Sequence, residues 1–381
     1  MAANTIFFGT NRLVEQESPA KFGNPYNADK PYYFRVGEVK VRKTGDSWKN
    51  PDKAYKCGKA KLFAETPSED GDEVLGSAEL FQRLQGTMRD DPRDVIVFLH
   101  GFANSFESAM ERAAELRDQY LSPKTNADTG ELASRGREPL VFAFSWPSDG
   151  VTMGMAGGAE GSDERKWAYS SDREDSRMSG AAIARCAIRM FQYLAAQKAE
   201  DHCAQRVHLV AHSMGNWALR HAVQELKEIA STAGVPLQRI FDNTFLMCAD
   251  INDDALEKED WLKPLLRLSR RIHVYHAAND SALSLSDVKP NHGARLGHYG
   301  PANMATLNDR VFAVDCEGVS FTPAAAHARH QYYRIAPEVV QDVREVLAGK
   351  KPDEMSQRVS LGDNRYRIKL DNKARKALRE G

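Results

Sequence analysis

An excess of charge of either sign is missing from this sequence. Its 381 residues include 52 lysines and arginines against 53 aspartates and glutamates, which gives a formal net charge of −1 at pH 7. Proteins that attract nucleic acid or anionic membranes through long-range electrostatics carry a clear basic excess. We therefore expect no nucleic-acid partner.

Cysteine is scarce and unpatterned. The five cysteines are Cys57, Cys186, Cys203, Cys248 and Cys316, and no two of them form a CxxC pair. An odd number with this scatter argues against a disulfide framework, and none has the spacing of zinc ligands. We expect a reducing compartment and no metal ion.

Long apolar runs are missing as well. The first residues, MAANTIFFGTNR, have neither the basic region nor the apolar stretch of a secretory signal. No segment approaches the ~18 apolar residues that a membrane-spanning helix needs. These absences predict a cytoplasmic protein with no membrane span, and nothing in the pattern indicates an oligomeric state.

From residue 95 onward, short apolar runs alternate with segments of helical periodicity. Six runs have the continuous apolar character of strands buried on both faces: residues 95–99, 140–146, 207–211, 244–248, 272–276 and 311–314. The best delimited helix begins at Pro337 and ends at Gly349. This alternation predicts an α/β fold with a mostly parallel central sheet and helices on both faces.

The two ends of the chain have weaker patterns. Residues 5–8, 32–41 and 59–64 resemble strands, so we expect residues 1–90 to form an N-terminal β extension of the same sheet, within a domain of residues 1–350. A separate small domain is the alternative. Residues 351–381 are predicted as a basic C-terminal tail, in which residues 359–370 favour a hairpin over Gly362 and Asp363.

The segment RVHLVAHSMGNWALRHAVQEL has the pattern of a nucleophile elbow. It predicts a strand ending at Ala211, a tight turn at Ser213 and a helix that starts near Met214. Such a turn needs small residues two positions to either side of the serine, and Ala211 and Gly215 meet this need. The alternative is an ordinary turn in which the serine caps a helix. The strand, turn and helix setting favours Ser213 as a nucleophile.

The segment VIVFLHGFANSFESAM, at the end of the first central strand, is a candidate source of oxyanion donors. Where a nucleophile elbow operates, one donor comes from this loop and the other from the residue after the serine. These donors are the backbone N–H groups of Phe102 and Met214, and Gly101 allows close approach of the backbone. His100 either lines the substrate site or binds loop carbonyls as a structural residue.

A serine nucleophile needs a base, and the base needs a carboxylate that orients it. Asp280 and Asp250 each follow a predicted central strand. We favour Asp280, in a sharp polar turn, because Asp250 opens an acidic run typical of a helix start. Asp250 then lines or supports the site. His330 is favoured as the base, since it directly precedes the last helix, and His327 is its near rival.

Trp146 and the irregular segment that follows it are candidates for the substrate pocket. Trp146 ends a predicted strand beside the site. The segment of residues 148–167 is a long loop rich in glycine and methionine, and loops of this length are usually functional. We expect Trp146 to help shape the acyl or leaving-group pocket. A place in the core is equally consistent with its composition.

These motifs resemble a mainly bacterial branch of the α/β-hydrolases, known as a domain of unknown function and often labelled esterase-like or lipase-like. The resemblance runs from residue 5 to about residue 348. It is carried by IFFGTNR, VIVFLHGFANSF, FSWPSDG, Tyr169 and Asp172 opening a long helix, VAHSMGNWAL, NDSAL, RLGHYGP and HQYYRIAPEVVQDV. It implies the α/β-hydrolase fold and the triad Ser213, Asp280 and His330, but little about the substrate. The insertion after Pro147 and the basic tail depart from the family pattern.

Together these residues predict a serine hydrolase that cleaves an ester or related acyl compound through an acyl-enzyme, with a small-molecule acyl substrate and no cofactor. Amidases, thioesterases and lipases use the same triad, so these activities stay open. The alternative from another class is a non-catalytic binding or scaffold protein on the same fold.

Overall fold

A computed structural model describes most of the chain. The described residues are 5–63, 66–67, 73–74, 76–90, 93–121, 137–148, 162–195, 205–283, 293–319, 329–369 and 376. Their strands are β1 Thr5–Thr10, β2 Arg12–Glu17, β3 Ala20–Tyr26, β4 Arg35–Lys43, β5 Tyr55–Leu62, β6 Thr66–Pro67, β7 Glu73–Val74, β8 Val95–Leu99, β9 Leu140–Ser145, β10 Val207–His212, β11 Phe241–Met247, β12 Ser269–His276, β13 Val311–Asp315, β14 Arg358–Gly362 and β15 Arg365–Ile368.

The helices lie mainly between the central strands. They are α1 Ser77–Asp90, α2 Phe106–Gln119, α3 Ser162–Met178, α4 Gly180–Ala195, α5 Gly215–Thr232, α6 Leu265–Leu268, α7 Leu296–Tyr299, α8 Tyr332–Ile335 and α9 Pro337–Leu347. Within the described parts of the chain, no helix is long and apolar enough to cross a membrane.

Thirteen strands form one sheet in the order β14-β15-β13-β12-β11-β10-β8-β9-β1-β4-β5-β3-β2. The strands from β15 to β1 run parallel, and the strands at both ends are antiparallel. All six central strands predicted from the sequence are present. The α/β fold with a mostly parallel sheet is therefore confirmed.

The core occupies both faces of the sheet. Val210 packs on one side with residues of α2 and α9, whereas Leu209 and Ala211 pack on the other with residues of α1, α4 and α5. Neighbouring residues of a strand point to opposite faces, so a strand covered on both sides must be apolar throughout. This arrangement explains the continuous apolar runs of the sequence.

The N-terminal strands belong to the same sheet as the central ones. Strand β1 pairs in parallel with β9 and antiparallel with β4, which pairs in turn with β5. The three strand patterns predicted near the N-terminus correspond to β1, β4 and β5. Strands β2 and β3 were not predicted, because β2 is largely exposed beyond its first residue and β3 contains Gly23 and Pro25.

The long helix expected to open at Tyr169 and Asp172 begins earlier, at Ser162, and is divided into α3 and α4 at Ser179. The backbone hydrogen bonds nearly continue across the break, since Ser179 N–H donates to the Asp175 carbonyl at 3.0 Å and Ile183 N–H to the Ser179 carbonyl at 3.0 Å. A Cβ on Gly180 would lie 2.5 Å from Cβ of His221. Glycine therefore allows α4 to pack closely on α5. Residues 149–161 of the predicted insertion lie outside the described residues.

The hairpin expected near the C-terminus is present as β14 and β15. Its turn has positive φ at Gly362 (84°), Asp363 (49°) and Asn364 (56°), and β15 extends the sheet by pairing in parallel with β13. Glycine, aspartate and asparagine tolerate this backbone region best. The first part of the segment predicted as a tail is therefore an edge of the sheet.

We expect a buried ion pair to couple this hairpin to the core. Arg358 and Asp342 lie 2.8 Å apart with side chains 1% and 0% exposed. Arg358→Leu leaves the Asp342 carboxylate buried without its cation, so the free energy of unfolding should fall by about 3–5 kcal/mol. Urea denaturation measures this change.

The same hairpin offers a matched control. Arg367 also pairs with an aspartate, Asp315, at 2.8 Å, but its side chain is 57% exposed. Arg367→Gln should cost less than about 1 kcal/mol, because water screens the pair. Equal losses in the two variants would contradict the packing of the hairpin against α9.

Candidate active site

The turn between β10 and α5 holds Ser213 in a left-handed backbone conformation. Its φ is 53°, a region that side chains with a Cβ disfavour. Four hydrogen bonds hold the turn. Ser213 N–H donates to the Met247 carbonyl at 2.9 Å. The Ser213 carbonyl accepts from Asp250 N–H at 3.2 Å and from the backbone N–H and the side-chain amide of Asn216, each at 3.0 Å. The strand, turn and helix of a nucleophile elbow are thus present where the sequence predicts them.

Two glycines allow the loop after β8 to approach this turn. A Cβ on Gly101 would lie 2.9 Å from Cβ of Ser213, and a Cβ on Gly215 would lie 2.5 Å from the His100 carbonyl oxygen. Any larger residue would push the two segments apart. The close approach brings the backbone after Gly101 next to Ser213.

The residues proposed as oxyanion donors follow Gly101 and Ser213 directly. Met214 is fully buried with helical backbone angles, and Phe102 lies in a turn whose next residue, Ala103, has φ 57°. Within the described residues, the backbone N–H groups of Phe102 and Met214 have no hydrogen-bond partner. Two unpaired donors therefore lie in the segments that flank the serine.

His330 and Asp280 form a direct hydrogen bond. Nδ1 of His330 lies 2.7 Å from Oδ2 of Asp280, and the aspartate side chain is fully buried. The other carboxylate oxygen accepts from Ala282 N–H at 3.1 Å and from Leu283 N–H at 3.3 Å. These donors orient the carboxylate towards the imidazole.

The backbone of His330 lies beside the residue that precedes Ser213. Its carbonyl accepts from Nε2 of His212 at 3.1 Å and from the Cys248 thiol at 3.1 Å, and the two imidazole rings are 4.9 Å apart between centroids. The Ser213 hydroxyl and the His330 imidazole form no hydrogen bond to each other. His327 lies outside the described residues.

Asp250 has different partners from Asp280. Its Oδ2 accepts from the Tyr169 hydroxyl at 2.6 Å, and its Oδ1 lies 3.3 Å from Nε of the fully buried Arg295. Burial and the Asp250 carboxylate raise the pKa of Tyr169 above its ordinary value. Asp250 therefore supports the Ser213 turn through its backbone N–H, while its side chain ties α3 to the loop after β11. Tyr169 and Arg295 belong to the sequence motifs of the family, but no role was predicted for either residue.

The position of the loop after Gly101 depends on Asp172 and Arg12, for which no role was predicted from the sequence. Oδ2 of the buried Asp172 accepts from Ala103 N–H at 3.1 Å and from the Ser148 hydroxyl. The buried Arg12 donates to the Asn104 carbonyl at 2.8 Å and to the Ser148 carbonyl at 3.2 Å. Residues from α3 and the N-terminal strands thus fix the loop that carries Phe102.

Trp146 and His100 are both buried and pack on each other. Their rings stack at 4.7 Å, and Nε1 of Trp146 donates to the His100 carbonyl at 2.9 Å. Burial lowers the pKa of His100 to about 3, so its imidazole is neutral at pH 7. These contacts favour the structural alternative for both residues, and their contact with substrate stays a prediction.

The described residues bring three potential metal ligands together, His212, Cys248 and His330, with ligating atoms within 4.8 Å of one another. The donor set suits a metal ion poorly. Burial raises the pKa of the Cys248 thiol well above its ordinary value, which opposes the thiolate that a metal requires. The thiol and Nε2 of His212 already bind the His330 carbonyl.

A family model described as an alpha/beta hydrolase of unknown function (DUF900) matches residues 77–349. The chain belongs to this family. Membership confirms the resemblance to this family. The matched segment begins at the start of α1 and ends two residues after α9, so it does not include IFFGTNR, with which the resemblance was expected to begin. No curated protein and no solved structure matches the chain.

We expect Asp172 to contribute strongly to stability. Asp172→Ala leaves two buried donors, Ala103 N–H and the Ser148 hydroxyl, without their acceptor, so the free energy of unfolding should fall by about 3 kcal/mol. Glu174→Ala on the same helix is the control, since Glu174 is 56% exposed and pairs with Arg177. It should cost less than about 1 kcal/mol. Similar losses in chemical denaturation would argue against the anchoring role of Asp172.

Proposed function

We propose that the chain is a serine hydrolase that cleaves an ester or a related acyl compound through an acyl-enzyme. The observation that carries the proposal is the 2.7 Å hydrogen bond between buried Asp280 and His330. It supplies an oriented imidazole beside His212, the neighbour of a serine held in a strained turn. An oriented base and a strained serine are the parts that acyl transfer through a serine requires.

Each residue has a defined task in the proposed reaction. Nε2 of His330 takes the proton of Ser213 while Oγ attacks the acyl carbonyl, and the N–H groups of Phe102 and Met214 stabilise the oxyanion by roughly 3 kcal/mol each. His330 then gives the proton to the leaving group, and the acyl group stays on Oγ. Water attacks the acyl-enzyme with His330 as base, which releases the acid and restores Ser213.

Asp280 acts on His330 rather than on the substrate. Its Oδ1 is occupied by two backbone N–H groups, so Oδ2 is directed to Nδ1 of the imidazole. This contact keeps the proton on Nδ1 and leaves Nε2 as the base. The carboxylate also stabilises the imidazolium that forms when Ser213 is deprotonated.

The strain at Ser213 argues against a purely structural or scaffold role. A left-handed conformation at a residue with a Cβ costs on the order of 1–3 kcal/mol and persists where the surroundings impose it. Here four hydrogen bonds and two close glycine contacts impose it. Amidases, thioesterases and lipases share this geometry, so it does not distinguish between these activities. We propose an ester as the substrate to assay first.

The first test is the removal of the nucleophile. Wild-type protein should react with a fluorophosphonate probe and hydrolyse p-nitrophenyl esters of some chain length, and Ser213→Ala should abolish labelling and lower kcat by roughly 10⁶-fold. Ser360→Ala, an exposed serine of β14, should label as the wild type does. A folded wild-type protein that does not label supports the scaffold alternative, and full turnover by Ser213→Ala refutes the proposed nucleophile.

The second test separates the two candidate carboxylates. Asp280→Asn should lower kcat by roughly 10⁴-fold, because the amide stabilises the wrong imidazole tautomer and cannot balance the imidazolium. Asp250→Asn should lower kcat far less, since Asp250 contacts Tyr169 and Arg295 instead of His330. Steady-state kinetics give kcat for both variants. A larger loss of kcat in Asp250→Asn than in Asp280→Asn would make Asp250 the third member of the catalytic triad.

A further inference from the structure

Two arginines and two tryptophans form a stacked cluster beside the Ser213 helix. The guanidinium carbon of Arg173 lies 3.9 Å from the Trp217 ring centroid, and that of Arg220 lies 4.6 Å from the same centroid. Arg220 also lies 3.4 Å from the ring centroid of Trp261, and the two indoles meet edge to face at 5.8 Å. We call Arg173, Trp217, Arg220 and Trp261 the arginine–tryptophan cluster.

The two guanidinium groups of the cluster have one acidic group near them, Asp260, which acts on Arg220. Across the described parts of the chain, neither Arg173 nor Arg220 forms an ion pair with a carboxylate. Glu174, the residue after Arg173 in α3, pairs with Arg177 at 2.5 Å. Two guanidinium groups therefore share one indole.

The electrostatics of the neighbouring groups agree with this geometry. Burial and the charge of Arg173 lower the pKa of Arg220 to about 10, against an opposing effect of Asp260. Burial and the charges of Arg220, Arg177 and Arg173 lower the pKa of His221 to about 4. Glu174 has the opposite effect, and His221 is neutral at pH 7.

The cluster also contains buried donors that have no acceptor. Nε1 of Trp217 and Nε of Arg220 are both buried without a hydrogen-bond partner, as is Nε2 of the adjacent His221. The indole and guanidinium nitrogens can only donate. Buried polar groups are paired in nearly all proteins, and the oxygens of an anion bound here would accept from these donors.

We propose that the arginine–tryptophan cluster binds a carboxylate or phosphate group of the substrate. The guanidinium fork matches the oxygens of both groups. Trp217 follows Ser213 by four residues, which is about 6 Å along a helix axis. Arg173 donates to the Tyr169 hydroxyl at 3.4 Å, and Tyr169 binds Asp250 next to the Ser213 turn. The binding claim rests on these contacts, and the assignment to substrate rests on the proposed hydrolase function.

Tryptophan fluorescence tests the binding claim without requiring activity. The full chain is titrated with glutarate and, separately, with inorganic phosphate, and the probe that saturates at lower concentration identifies the preferred group. Arg173→Gln and Arg220→Gln should each weaken binding by roughly tenfold or more, since each removes a charged donor. Arg220→Lys should retain part of the affinity, because it keeps the charge.

Arg267→Gln is the matched control for loss of positive charge. Arg267 is 54% exposed and pairs with Glu259, outside the cluster, so its loss should leave the titrations unchanged. Thermal unfolding checks that each variant is folded. The absence of a saturable change with either probe, or equal affinities in the wild type and both glutamine variants, overturns the proposal.

Paired substrates test whether the bound anion is part of the substrate. The charged substrates are p-nitrophenyl monoesters of straight-chain dicarboxylic acids. Their uncharged counterparts have the same acyl chain, with the free carboxylate converted to a methyl ester. In the wild type the charged ester should have the higher kcat/KM at one chain length, by roughly tenfold, through a lower KM. This ratio should fall towards one in Arg173→Gln and Arg220→Gln and persist in Arg267→Gln.

The two assays separate the possible failures. Binding of the anion by a protein that hydrolyses none of the esters would refute the proposed hydrolase function and leave the anion site intact. Hydrolysis with no preference for the charged ester at any length would refute the assignment of the site to substrate. Hydrolysis without preference and without anion binding would refute the anion site and leave the hydrolase function standing.

Discussion

The central constraint in this structure is the left-handed backbone of Ser213 at the carboxyl edge of a parallel sheet. A turn of this kind forms only where strand, helix and adjoining loop come very close. Gly101 and Gly215 supply the space, and the carbonyl of Met247 and the N–H of Asp250 supply the hydrogen bonds. The position of the loop after β8 and the contacts of the β11 loop both follow from this turn.

Buried charged residues surround the turn. They come from distant parts of the chain, and together they hold the loops beside Ser213 in place. Arg12 reaches the loop from the N-terminal strands, Asp172 reaches it from α3, and Arg295 reaches Asp250 from the segment after β12. Their partners are backbone groups, neutral polar side chains or opposite charges, which compensate for the loss of water around them. The proposed oxyanion loop therefore depends on residues far from it in sequence.

The sequence predicted those features that rest on local patterns. Six central strands, the turn at Ser213, the last helix and the C-terminal hairpin were identified because apolar runs, glycines and proline act within a few residues. The preference for Asp280 over Asp250 also came from local turn chemistry. Arg12, Asp172 and the partners of Asp250 could not be assigned, because their contacts join residues that only the folded sheet brings together. Strands β2 and β3 lacked the apolar pattern that marks buried strands.

The place of β1 in the sheet bears on how much of the chain the fold needs. The family match begins at residue 77, yet β1 covers the edge of β9, and Arg12 follows it directly. In a chain trimmed to residues 77–349, β9 would become an edge strand. Its unpaired backbone N–H and C=O groups could then pair with another copy of the chain. It would also remove the cation that binds the Asn104 and Ser148 carbonyls. Residues before the matched segment thus complete one edge of β9 and hold the loop after β8.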